Sequence, residues 1–116
     1  GSITDNATGL IWQQEDDGNL RNWNEAAKYC SELSLASYTN WWLPSLDQLM
    51  SIVDTSSSPT IDSYFFQNPQ SYGYWSSMND LNNSSWAIYV SFQNGNAGPN
   101  DKLNDKRYVR CVRGKE

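Results

Sequence analysis

Residues 107–114 read Arg-Tyr-Val-Arg-Cys-Val-Arg-Gly, "RYVRCVRG", and the way this stretch is read decides the fold. Alternation predicts a closing strand over 108–113, with Val109 and Cys111 on one face and Tyr108, Arg110 and Val112 on the other. Arg110 is then expected to point to solvent or to an acidic neighbour. Arg113, back on the Cys111 face near the strand's end, is expected in a structural salt bridge. Cys111 needs a partner, and the second of the two cysteines is Cys30.

Cys30 sits in "NWNEAAKYCSEL", residues 22–33. Asn22 with Glu25 three residues later is a capping box. Trp23, Ala26, Ala27, Cys30 and Leu33 then share one face of an amphipathic helix, which turns Cys30 inward. Two cysteines cannot complete a structural zinc site. They are too far apart for a redox Cys-x-x-Cys. In a secreted protein, a single disulfide from the first helix to the last strand is the simplest account, with two free buried thiols as the alternative. Such a bond closes a loop of roughly 80 residues, worth about 4 kcal/mol in the chain-entropy model.

The rest of the chain is consistent with one small domain, residues 1–116. Gly1-Ser2 is expected to be a tag remnant. Apolar content is concentrated in six Trp, seven Tyr and three Phe, so rings are expected to fill much of the core. "DNATGLIWQQ" (5–14) reads as a turn and a strand. Ser45 with Gln48 repeats the capping box and opens a second helix over about 46–53. Aromatic clusters follow at 64–66 and 72–77, the latter read as a strand. "WAIYVSF" (86–92) is the clearest strand, and Asn94-Gly95 is a strong hairpin signal. Residues 96–105, rich in turn formers, read as a loop. Helices early and antiparallel strands late make the class α+β, two short helices packed on antiparallel sheets.

Net charge is −5, unevenly spread. Residues 1–101 hold two basic and eleven acidic residues, whereas residues 102–116 hold six basic and two acidic. Such asymmetry marks either an interaction surface or basic strand positions that pair with acids elsewhere.

Five motifs occur in order: "TDNATGLIW" (4–12), W-x-x-A-x-x-Y-C (Trp23, Ala26, Tyr29, Cys30), W-x-L-P-S (Trp41, Leu43, Pro44, Ser45), "YWSS" (74–77) and "VRCVRG" (109–114). Together they resemble the C-terminal domain family of the Legionella collagen-like adhesin over nearly the whole chain. Two positions depart from the family pattern. Trp42 stands where the family usually has Arg, and Gln48 where it usually has Glu, so any salt bridge between them in relatives is absent here. The resemblance implies a C-type lectin-like fold with the Cys30–Cys111 bond and a secreted or surface-displayed binding module. It also implies a sulfated glycosaminoglycan ligand and a homotrimer.

Function classes can be weighed from the residues. With no His, His-based triads are excluded, and a disulfide would leave no catalytic thiol, so no enzyme is expected. No cofactor is expected. Calcium is not favoured: "GPN" (98–100) has Gly98 where a lectin of this fold carries an acid, although Asn100, Asp101, Asn104 and Asp105 offer oxygens. Arginine forks match sulfate and carboxylate. The expected ligand-binding residues are therefore Lys102, Lys106, Arg107, Arg110 and Lys115, with Tyr108 and Asn100. Lys102, Lys106 and Arg107 are the better wager among them. The expected partner is a host or environmental polysaccharide. The alternative is a protein receptor met by an adaptable surface of Asn79, Asn82, Asn83, Asn94, Asn96, Asn100 and Asn104 with Trp86, Tyr89 and Tyr108. That alternative corresponds to the retroelement-diversified members of the family. A sequence pI near 4.5 disfavours nucleic acid.

Overall fold

The computed structural model describes residues 1–62, 66 and 72–114. It is α+β. The elements run β1 (Ser2–Thr4), β2 (Ile11–Gln13), α1 (Trp23–Glu32), α2 (Leu46–Met50), β3 (Gly73–Asn79), β4 (Trp86–Ser91), β5 (Ala97–Asp101) and β6 (Val112–Arg113). Among the described residues two three-stranded antiparallel sheets form, in the orders β1-β2-β6 and β3-β4-β5. Ser2 pairs with Gln13 at the start of the first sheet, and the Gln14 amide donates to the Gly1 carbonyl at 3.0 Å.

Both capping boxes are present. Asn22 Oδ1 accepts from the Glu25 amide and Glu25 Oε1 from the Asn22 amide, each at 2.9 Å. Ser45 and Gln48 do the same at the start of α2. These reciprocal bonds satisfy donors that a helix start otherwise leaves open. The second helix is shorter than expected. It stops at Met50, and Val53 instead bridges to Ile61.

The hairpin at Asn94-Gly95 is also found. Gly95 adopts φ +81°, and the Ser91 amide donates to the Asn96 carbonyl at 2.8 Å. Beyond the hairpin the chain stays extended: residues 97–101, expected as part of a polar loop, form β5 against β4. Gly98 and Pro99 argue against a central strand, but β5 is an edge, and there a missing proline N–H interrupts no ladder.

The closing stretch lies between two hydrophobic clusters. Tyr108 and Val112 pack on the first, with Trp12, Leu49 and Phe92. Val109 and Cys111 belong to the second, with Ala26, Cys30 and Trp75. The predicted alternation therefore holds, while the predicted strand does not run through. Only Val112 and Arg113 are in ladder register, with β2. Before them the chain is stitched to different neighbours, with Arg107 bridging Arg21 and Tyr108 bridging Tyr74. Cys30 and Cys111 are fully buried and bonded, with Cα atoms 5.5 Å apart.

Because both faces are covered, Arg110 does not reach solvent. Its side chain is fully buried, and its guanidinium lies 5.3 Å from the Phe66 ring centroid and 5.7 Å from that of Tyr74. Its acidic neighbour is Asp16, at 3.2 Å. Nη1 donates to the Gln13 and Gln14 carbonyls at 2.9 and 2.6 Å. Arg110 is thus corrected from a ligand-binding residue to an internal tie. Arg113 is buried as well, with Nε donating to Asn40 Oδ1 at 2.9 Å and its guanidinium 3.6 Å from the Tyr38 ring centroid.

Candidate functional site: a basic, aromatic-walled cleft

Three of the expected site residues come together. Lys106, Arg107 and Tyr108 line a cleft of about 420 Å³ with Leu20, Tyr72, Gly73 and Tyr89. The segment is held on two sides. Arg107 exchanges two backbone hydrogen bonds with Arg21, both 2.9 Å. The Tyr108 amide donates to the Gly73 carbonyl at 3.0 Å, and the Trp75 amide to the Tyr108 carbonyl at 3.1 Å. Cations placed on a segment tied to two neighbours lose little further backbone freedom when they meet a ligand.

The walls are rings. Tyr72 stacks on Tyr108, with centroids 6.4 Å apart and planes at 25°. The Arg107 guanidinium sits 5.0 Å from the Tyr89 ring centroid, and its Nη1 donates to the Lys106 carbonyl at 2.7 Å. A cation over a ring face keeps outward N–H groups free for an anion. Tyr72 is 61% exposed and Leu20 52%, so the cleft is open to solvent.

The basic residues sort by partner. Arg21 forks onto Asp17, at 3.0 and 2.6 Å. Burial raises the Asp17 carboxyl, but the Arg21 fork and the Asn19 amide outweigh it, so its pKa falls below the usual carboxylate value. The fork on Asp17 raises that of Arg21 in turn. Arg110 is paired with Asp16. Among the described residues, neither Lys106 nor Arg107 makes an ion pair.

The remaining expected residues lie elsewhere. Lys102 places its ammonium 4.3 Å from the Trp23 ring centroid and donates to Asn79 Oδ1, outside the cleft. Asn100 lines a separate, smaller hollow with Trp86, Pro99, Asp101 and Asp105. Lys115 lies outside the described residues. Among the described residues no group of three or more His, Cys, Asp or Glu side chains is arranged to hold a metal ion. Asp101 is occupied by the Leu103 and Asn104 amides, at 2.8 and 3.0 Å. Those bonds lower its pKa.

Sequence reading missed Tyr72, Leu20 and Gly73. The available signal was a glycine inside a strand between two tyrosines, "YGY", which marks close approach. A Cβ on Gly73 would stand 2.7 Å from Arg107 Cδ and 2.8 Å from Tyr89 Cδ1. Gly73→Ala should therefore push Arg107 off Tyr89. We expect at most about 1 kcal/mol of lost stability, and weaker heparin retention if the cleft is where an anion sits. An unchanged heparin elution for a folded Gly73→Ala protein would show that the Arg107 position is immaterial.

Trp42 Nε1 donates to Gln48 Oε1 at 3.4 Å, a hydrogen bond between two neutral side chains. Comparison with curated proteins finds no match. The family model of the Lcl C-terminal domain matches residues 1–113, nearly the whole chain, and the chain belongs to that family.

Proposed function

We propose that this chain is a non-enzymatic, surface-displayed binding domain of C-type lectin-like architecture. Its ligand is a sulfated or otherwise acidic glycan held in the Lys106–Arg107–Tyr108 cleft. Membership of the Lcl C-terminal domain family supports an adhesin-like role. No helix among the described residues is long and apolar enough to cross a membrane.

The observation that carries the reading is the pair of cations without carboxylate partners, set among the tyrosine rings of an open cleft in a domain of net charge −5. A neighbouring acid would have been the easy way to neutralise them. A sulfate or carboxylate on a sugar supplies that charge from outside, and the tyrosine faces suit the C–H faces of its ring. A trimer, as the resemblance implies, would set three such cation pairs along one polyanion.

Retention on a heparin column at about 0.15 M salt tests this, with elution moving steeply as salt rises. Lys106→Glu with Arg107→Glu should abolish retention, and a chelator should leave it unchanged. Flow-through of the assembled protein would overturn the proposal. Retention by the double variant would place the site on another surface.

A further inference from the structure

A second cleft, sharing no residue with the basic one, is walled by three tryptophans. We propose that it binds an uncharged pyranose ring, as in a neutral β-linked glucan. Trp23, Trp41 and Trp42 line it, with Ala27, Ser31 and Ser77, around a volume of about 400 Å³. That volume is within the range of small-ligand sites.

The residues come from three segments. On α1, Trp23, Ala27 and Ser31 follow at four-residue spacing and so form one stripe. The two later side chains are small and leave open the space that Trp23 borders. Trp41 and Trp42 precede α2, and Trp42 is locked to Val112 by two backbone hydrogen bonds of 2.8 and 3.0 Å. Ser77 sits on β3, its amide donating to the Pro44 carbonyl at 2.7 Å.

All three indole N–H groups are already committed. Trp23 donates to the Ser76 carbonyl at 2.9 Å, Trp41 to the Tyr38 carbonyl at 3.2 Å and Trp42 to Gln48 Oε1 at 3.4 Å. These bonds fix the ring orientations; Trp41 is only 3% exposed and backs the cleft, so the ring surface on offer is that of Trp42, 39% exposed, and of Trp23. No charged side chain lines the cleft itself, and the Lys102 ammonium over the Trp23 ring is held by Asn79 Oδ1, so an anionic or cationic ligand would lose hydration there with little counter-charge. The Ser31 hydroxyl donates to the Lys28 carbonyl at 2.9 Å, which leaves its lone pairs to accept. Serine hydroxyls beside indole surface match a ligand with apolar faces and a hydroxyl rim. A β-glucopyranose unit has that form, since its equatorial hydroxyls leave C–H groups on both faces. A wholly apolar ligand would leave the serines without use, and a sulfated one belongs in the other cleft.

The test is titration of the isotopically labelled protein with cellohexaose, following the indole N–H signals of the six tryptophans. Saturable shifts of Trp42 and Trp23 are expected, with a smaller one at the buried Trp41. Trp42→Ala removes a wall that is 39% exposed and should weaken binding about tenfold. Ala27→Met fills the space without removing a ring and should weaken it comparably, so the result does not rest on one variant. Heparin retention should be unchanged in both, which separates this cleft from the basic one. Absence of shifts at millimolar cellohexaose would overturn the proposal. So would shifts confined to Trp12, Trp75 or Trp86, or full-strength binding by both variants.

Discussion

Replacing Cys30 and Cys111 together by alanine should lower stability by about 4 kcal/mol. In a domain of this size that is a fall of roughly 15 °C in melting temperature. The bond links residues 81 apart in sequence, so its loss restores to the unfolded chain a large set of open conformations. The folded state loses contacts too, because both sulfurs are fully buried in the second cluster beside Ala26, Trp75 and Val109. Domains of this kind are stable by only about 5–15 kcal/mol, so the change is a large part of the whole. Calorimetry of the double variant measures it. A shift of a degree or two would mean that packing alone holds α1 to the closing stretch. Heparin binding by the variant, measured well below its melting point, should persist, since the cleft is tied by separate backbone bonds at Arg21 and Gly73.

Arg110→Met should be comparably damaging, about 3–5 kcal/mol, because it strands a buried charge. Asp16 is buried, and its Oδ2 also accepts the Tyr74 hydroxyl proton, while Oδ1 accepts from the Gly18 amide at 2.8 Å. Without Arg110 the carboxylate keeps two donors and no counter-ion. Meanwhile the Gln13 and Gln14 carbonyls lose theirs, a further penalty for each that stays buried. Asp16→Asn should be harmful for the mirror reason, leaving a buried guanidinium among rings. Combining the two should cost clearly less than the sum of the singles, since the second change removes the charge that the first stranded. Denaturant unfolding of the four proteins completes the cycle. Strict additivity would show that the pair is not coupled. Arg110→Lys is informative as well, because it keeps the charge but cannot form the fork that reaches Asp16 and both carbonyls. None of these changes should alter heparin elution of the folded protein, which distinguishes a structural arginine from a ligand-binding one.

The two halves of the site differed in how far they were legible. Lys106, Arg107 and Tyr108 are adjacent in sequence, and their gathering into one cleft needed only that the segment be exposed on one side. Leu20, Tyr72 and Tyr89 arrive from three distant segments, and no local pattern marks their meeting. Lys102 was expected beside them because it is near in sequence, yet it folds back over Trp23. The three-tryptophan cleft was harder still. Trp23 reads as a core residue by helical periodicity and Trp41 only as part of the W-x-L-P-S motif, and the space beside them is left by the small side chains of Ala27 and Ser31.

Both capping boxes, the Asn94-Gly95 hairpin and the alternation through 108–112 were legible in the residue order, because each depends on contacts within a few positions. So was the pairing of the two sulfurs, since there were only two. What the alternating faces look out on was settled by packing between distant segments. The face opposite Cys111, expected to meet solvent or an acidic neighbour, is covered by the first cluster, so Arg110 became an internal ion pair with Asp16 and not part of a binding surface. Packing likewise made residues 97–101 a strand, because an edge position on β4 tolerates Gly98 and Pro99, which no local propensity would place there. Propensity and periodicity act over a few residues. Burial is set by whatever the chain brings from far away.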